Sequence, residues 1–309
     1  MAENPAAMKK RIAEAKSSSA GALLISEHCP EIKATQILTP IPIAAIIELT
    51  SLFYERPAPY EGIHSSASVD ETAELAEAVS VGPFAVIGKG VRIGARSIIH
   101  PHAVIYPFAS LGTDCEVHAS AVIREYTELG NYCVIQPGAV IGGDGFGYIP
   151  DKEIGHRQVP HSGKVVFEDY VDVGANSCID RAMLGETRLG RSVKVDNQVM
   201  IGHNCQIGER TLMVSQVGIS GSVKVGRDVV FAGKSSTRDH ITIGDNVKVA
   251  GKTGITKSVD SNKTVAGYPH YEDVKQWIRV ENLIRRLPEL FREVKSLKSK
   301  LASSEQKQG

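Results

Sequence analysis

The sequence predicts an all-β fold: a parallel β-helix of hexapeptide repeats, flanked by a small N-terminal α/β module and C-terminal α-helices. Fourteen six-residue units run unbroken from Ile63 to Phe146, and twelve more run from Leu189 to Asp260. Each unit opens with Ile, Val or Leu, often continues with Gly, and usually carries a small or branched residue at its fifth place. Beyond Tyr271 the apolar residues recur at helical spacing instead. Three hexads make one triangular coil, so residues eighteen apart stack on one face. Chemistry can then be placed by counting.

The bulk numbers exclude several classes. A length of 309 residues leaves room for one to three domains, and 42% hydrophobic content is ordinary for a soluble protein. With 35 basic and 35 acidic residues, no global field advertises nucleic acid. No stretch approaches the roughly 20 apolar residues that span a bilayer. Lys9, Lys10 and Arg11 lead into an alanine- and serine-rich polar run rather than a signal-peptide core, so a cytoplasmic location is expected. Five cysteines show no CxxC spacing. Cys115, Cys133 and Cys205 occupy fifth hexad places and read as small packing residues in a reducing cytosol, not as a bridge.

Three domains follow in order. Residues 1–60 form the α/β module, with a helix over Ala6–Lys16, strands at Ala22–Ser26 and Gln36–Leu38, and a helix over Pro42–Tyr54. Pro57-Ala58-Pro59 marks a linker. Residues 61–268 form the solenoid, interrupted by a loop over Gly147–Val166 and by a ten-residue step at Ile179–Arg188. Residues 269–309 are a helical extension in which Leu283, Leu287, Leu290, Val294, Leu297 and Leu301 make an apolar stripe. Pro288 is expected to start a second helix there. Six Arg or Lys against two Glu between Leu283 and Lys300 fit a solvated cap or a docking surface for an acidic partner. Flat triangular faces predict a homotrimer with sites in the clefts between neighbours.

One face gathers the chemistry. His203 holds the third place of its hexad, and Gly221 holds the same place eighteen residues later. His240 lies 37 residues after His203, on the same side of the prism, and Asp196 lies seven residues before it. Histidine titrates near neutrality and can take a proton from an attacking amine or hydroxyl. A carboxylate can fix its tautomer, and a glycine N–H can meet an oxyanion, so the set suits acyl transfer. A thioester donor needs no covalent enzyme intermediate. His100, His102 and His118 read as surface or hydrogen-bonded residues, and with only His203 and His240 sharing a face no metal site is expected.

The runs IGGDGFGYIPD (Ile141–Asp151), VDVGANSCIDRAMLGET (Val171–Thr187), VDNQVMIGHNCQIG (Val195–Gly208) and RDHITIGDNV (Arg238–Val247) resemble the UDP-3-O-acylglucosamine N-acyltransferases of the lipid A pathway. The resemblance extends from about Gly62 to Trp277 and implies a homotrimeric left-handed β-helix. It also implies transfer of a 3-hydroxyacyl chain from acyl carrier protein to the 2-amino group of a UDP-amino sugar. No cofactor of its own is implied, because 4′-phosphopantetheine arrives on the donor. His203 matches the general base, Asp196 its supporting acid, Gly221 the oxyanion donor, and His240 a histidine near the donor carbonyl. Phe146 and Tyr148 match the loop beside the acyl and sugar sites, and Asn197 is placed with the substrate-binding residues. The basic C-terminal helices would then meet the acidic carrier protein.

Two departures shape the expectations. The family's Asn-Pro-Lys-Tyr motif is matched by Asn4-Pro5-Ala6-Ala7, without the aromatic that stacks on uracil. Only about 60 residues precede the first hexad, so weakened or altered uridine recognition is expected. Gly254 and Thr256 stand where the family carries bulky methionines, which predicts a longer or branched acyl group. Competing readings are a related hexapeptide acyltransferase with another amino or hydroxy sugar acceptor, a non-catalytic solenoid scaffold, and a zinc hydratase.

Overall fold

A computed structural model describes residues 5–54, 60–267 and 274–305. Asn4, the Pro57-Ala58-Pro59 linker and residues 269–273 lie outside them. The chain divides into two units, Met1–Pro59 and Tyr60–Gly309. The first contains α1 (Pro5–Ser17), β1 (Ala22–Ile25), β2 (Thr35–Leu38) and α2 (Pro42–Phe53). Its strands pair in parallel, Leu23 opposite Gln36, and Pro42 opens α2 in the first turn, where a missing N–H costs nothing.

The second unit is a parallel β-solenoid. Short strands, mostly two residues long, stack into three sheets of nine, ten and ten strands. Sheet I runs from Ser68–Val69 to Gly254–Ile255, sheet II from Glu74–Leu75 to Thr242–Ile243, and sheet III from Ser80–Val81 to Thr264–Val265. The chain visits them in that order, turning a corner after each strand.

The hexad explains the packing. First-place residues point inward and stack in columns; Ile87, Ile105, Ile123 and Ile141 are all at most 1% exposed. Fifth-place residues also point inward but must be small, and Ala85, Ala103, Ala121 and Ala139 are fully buried. Each buried Ile contributes about 1.5–3 kcal/mol, which drives the coil to close. Cys115, Cys133 and Cys205 sit among these packing residues as buried free thiols.

Fourth-place residues adopt left-handed backbone without being glycine: Phe108 at φ 63°, Asn204 at 60°, His240 at 54°. Such a conformation costs about 1–2 kcal/mol per residue. In return the turn N–H reaches a carbonyl one coil back, as Ser222 N does to His203 O at 2.8 Å. The ladder thus continues around the corners.

Two steps break the regular spacing of 18 residues per coil. The first coil step widens to 38 residues, as in the Asn131–Asp169 contact, and the second to 22, as between Ser177 and Val199. The inserted segments follow the sheet I strands Val140–Gly143 and Cys178–Asp180, so both leave at the corner between sheets I and II. The expected irregular loop contains an antiparallel hairpin, Tyr148–Asp151 against Gly155–Gln158, with Asp151 accepting the N–H groups of Glu153 and Ile154 in its turn.

One expectation is corrected. The C-terminal extension is a single helix, α3 (Val274–Glu305), rather than two, and Pro288 lies inside it. Proline costs about 3 kcal/mol in a helix interior through one lost hydrogen bond and a ring clash. The Leu-, Arg-, Lys- and Glu-rich sequence on both sides favours helix strongly enough to carry it through. Leu283, Leu287 and Leu290 remain exposed along it.

Candidate active site

The corner between sheets I and II opens into a cleft of about 570 Å³. His203, Gly221 and His240 occupy successive coils along it, and Phe146 from the first insertion and Asp180, the last residue of the strand before the second, complete its lower end. The outward face of sheet I supplies Met200, Gly218 and Ser236 as its wall.

His203 is held in a defined tautomer. Asn204 Oδ1 accepts the Met183 N–H at 3.0 Å, and its Nδ2 donates to Leu184 O at 2.9 Å. Only one orientation of the amide satisfies both backbone groups. The same Oδ1 faces His203 Nδ1 at 3.1 Å, so Nδ1 carries the proton. Nε2 is left with its lone pair free. The second insertion therefore does chemical work, because Asn204 is braced by the inserted Met183 and Leu184.

Gly221 stacks directly on that nitrogen. A Cβ built there would lie 2.6 Å from His203 Nε2, so only glycine lets the backbone approach. Among the described residues the Gly221 N–H has no partner, which leaves it for a ligand. His240 occupies the next turn, its N–H bonded to Gly221 O at 3.2 Å and its side chain exposed.

The first insertion packs on the base from the other side. His161, only 8% exposed, meets the His203 ring edge to face at 5.3 Å. Its Nδ1 donates to Val159 O at 2.9 Å. Gly145 wedges between them: a Cβ would lie 2.6 Å from His161 Nε2 and 2.8 Å from His203 Cβ. Arg181 ties the loop base down, donating to Gly142 O at 2.7 Å and pairing with Glu125 at 2.8 Å. Burial opposes ionisation of Glu125, but hydrogen bonds from Arg124 and Arg181 prevail and hold it at about 2. Asp180 behaves oppositely. Burial, then the nearby Asp144 charge, pushes its carboxyl up to about 7.

Several expected residues lie elsewhere. Asp196 does not meet His203 within the chain, because the two bracket the sheet I strand Met200–Ile201 from opposite corners. Its carboxylate accepts hydrogen bonds from the Ser215 hydroxyl and N–H and from Asn197 N. Those bonds, the Ser215 hydroxyl first, hold its pKa below the usual range. Asn197 stands at the same distant corner, accepting the Ala175 N–H at 2.7 Å. Gly254 continues the sheet I wall one coil above Ser236, with open space where a Cβ would project. Tyr148 packs edge to face on Phe146 at 5.2 Å, and Phe146 is 84% exposed. Asn4 is not among the described residues.

His100 and His118, read as surface residues, stack one coil apart at 4.6 Å and share Glu116 Oε1 at 3.0 and 3.4 Å. Their ligand atoms lie within 4.8 Å of one another, a grouping that could hold a metal ion. The rings are nearly parallel, 4° apart, so both lone pairs could reach one ion at ~2.0 Å only after the rings turned. The pair reads instead as two imidazoles on one carboxylate. Sequence reasoning missed His161, Asn204 and Asp180. The spacing of eighteen flags His100 with His118, but no fixed spacing reaches across an insertion.

Comparison with known proteins agrees with this architecture. Residues 72–107 match the bacterial transferase hexapeptide (six repeats) family. UDP-3-O-acylglucosamine N-acyltransferase 1 of Koribacter versatilis is 48% identical over 288 residues, 93% of this chain and 85% of its own. The UDP-3-O-acylglucosamine N-acyltransferase of Desulfotalea psychrophila is 48% identical over 283 residues, 91% of this chain and 82% of its own. Among solved structures, an Arabidopsis UDP-N-acetylglucosamine acyltransferase superposes with a TM-score of 0.61 at 24% identity, covering 67% of this chain and 71% of its own; this likeness concerns the fold. The chain belongs to the UDP-3-O-acylglucosamine N-acyltransferase family and is an acyltransferase.

Proposed function

We propose that the cleft transfers a 3-hydroxyacyl group from acyl carrier protein thioester to the 2-amino group of UDP-3-O-acylglucosamine, in the cytoplasm, as a step of lipid A synthesis. The observation that carries this reading is the His203 Nε2 lone pair, fixed by Asn204 and faced by Gly221. The neutral amine attacks the thioester carbonyl carbon, and a C–N bond forms. His203 Nε2 takes the amine proton while the Gly221 N–H meets the developing oxyanion, a contribution of roughly 3–4 kcal/mol where such donors have been removed. Collapse breaks the C–S bond, and the imidazolium returns the proton to the departing thiolate. Amide and thiol leave, and the histidine is neutral again.

His240 is assigned to the donor carbonyl and pantetheine arm, Phe146 and Tyr148 to the acyl and sugar groups. The open column from Gly218 to Gly254 is assigned to the acyl chain. A homotrimer closes the cleft with a neighbouring coil, and the Arg- and Lys-rich face of α3 meets the carrier protein. Asp196 is assigned to bracing its coil through Ser215. Ala6 and Ala7, in place of the motif's Lys and Tyr, favour a second reading in which the acceptor is another amino sugar nucleotide.

Acyl transfer from hydroxyacyl-carrier protein to UDP-3-O-acylglucosamine, comparing native protein with His203→Ala, tests the proposal. Loss of general-base catalysis lowers turnover by about 10²–10⁴-fold. Full activity in a folded variant removes His203 from the chemistry; no turnover by the native protein moves the search to other acceptors.

A further inference from the structure

Among the described residues Asp180 is the one acidic side chain that the cleft buries, and the steps above do not use it. It is 7% exposed, and among the described residues its carboxyl takes part in no hydrogen bond or ion pair. Its oxygens are not among the fully enclosed unpaired atoms, so they open to the cleft it lines, where a ligand's polar group can complete them. The other cleft carboxyl, Asp239, is 58% exposed and has Arg238 3.5 Å away.

The backbone aims Asp180 into the site. Ile141 pairs with Ile179, but Gly143 pairs with Asp180, so a bulge interrupts the register at this point. Bulges of this kind re-aim side chains beside active sites. With Ile179 pointing into the coil, Asp180 points outward, against Gly143, whose Cβ would lie 3.6 Å from its Oδ1. Asp180 directly follows the pair Ile179–Ile201 and lines the cleft together with Gly202 and His203. Arg181 cannot neutralise it, since its guanidinium is engaged by Gly142 O and Glu125.

An amino acceptor enters water largely as an ammonium, because simple α-amino groups titrate near 8. That cation needs an anion to hold it, and it must lose a proton before it can attack. We infer that Asp180 is the acceptor-binding residue for the amine, holding the sugar's ammonium next to His203 and selecting amino over hydroxy acceptors. The carboxylate takes the first proton, giving a carboxylic acid and a neutral amine. His203 takes the second as the C–N bond forms and returns it to the thiolate, and the carboxylic acid releases its proton to water once the products have left. Burial raises this carboxyl towards the range of the amine, which eases the first transfer. This assignment rests on the acyl-transfer reading given above.

The test compares two ligands without donor: UDP-3-O-acylglucosamine and its 2-hydroxy counterpart, UDP-3-O-acylglucose. Calorimetry on the native protein should show the amine bound about 10-fold or more tightly, as expected for one charged hydrogen bond in a buried site. In Asp180→Asn the amine should fall to the affinity of the hydroxy analogue, whose own affinity stays unchanged. Asp180→Glu, which keeps the charge, should retain part of the preference. An amine preference that persists in Asp180→Asn overturns the assignment alone, as does an equal loss of both ligands. A native protein that binds neither overturns the acceptor reading and this assignment with it.

Discussion

The corner between sheets I and II is built twice in this molecule, once below the insertions and once above them. Below, Phe108 and Tyr126 fill successive fourth places at φ 63° and 60°, and their rings stack at 5.4 Å. Above, Asn204, Ser222 and His240 fill the same places at φ 60°, 61° and 54°. The backbone is the same in both. Below, the side chains pack on one another and close the corner. Above, small and polar residues leave a cleft, and 20 and four extra residues in the two interrupted coils supply its other walls (steps of 38 and 22 against the regular 18). The repeat therefore builds a neutral scaffold, and reactivity comes from what replaces its outward residues.

The largest effect beyond His203 itself is expected at Asn204. Asn204→Ala removes the acceptor that keeps the proton on Nδ1, and it frees Met183 and Leu184 of the second insertion. Turnover should fall by about 10²-fold or more, the range associated with losing correct general-base geometry. Asn204→Asp keeps an acceptor for Nδ1 but loses the Nδ2 donor to Leu184, so it should recover part of the activity. Steady-state kinetics on both variants check this; equal activity in Asn204→Ala and native protein would show that the upper corner needs no such brace.

Much of this was legible in the sequence because the period is a ruler. The columns of Ile and Ala, and the stacking of Gly221 on His203, follow from counting eighteens. Counting fails wherever the count is broken. Asn204 meets Met183 and Leu184, and His161 meets His203, only because inserted residues fold back across one corner. Asp196 stands apart from His203 within the chain for a related reason: seven residues look close in sequence, but a sheet strand lies between the two. The left-handed corners were invisible too. Phe108, Tyr126 and Arg210 carry no glycine signal, because the conformation is imposed by the coil above and below.

A smaller effect is expected in the pH dependence of stability. The Asp180 carboxyl titrates at about 7 in the native protein, against an ordinary value of 3.8, because of burial and then Asp144. Well below pH 3.8 both native and unfolded forms are protonated, and the group costs nothing. As pH rises towards 7 the unfolded chain ionises while the native one resists, so native stability is lost across that window. Above 7 both are ionised and the loss stops growing. Asp180→Asn never ionises, so its Tm should gain on the native protein from pH 4 to 7 and then level off. A Tm difference independent of pH contradicts the assigned burial.

The smallest effect sharpens the comparison at its lower half. Tyr126 is 53% exposed and half of a ring stack, so Tyr126→Ala should cost about 1 kcal/mol through the lost aromatic contact. Tyr126→Gly loses the same contact but also removes the left-handed strain of φ 60°. Glycine adopts that backbone freely, so the second variant should be more stable than the first by about 1 kcal/mol. That reverses the usual ranking of alanine over glycine in regular structure. Acyl transfer should be untouched in both, since Tyr126 does not line the cleft. Denaturation midpoints of the two variants decide the matter: alanine at least as stable as glycine would mean that the corner relaxes once its ring is gone, and that the stack, rather than the coil, holds the turn left-handed.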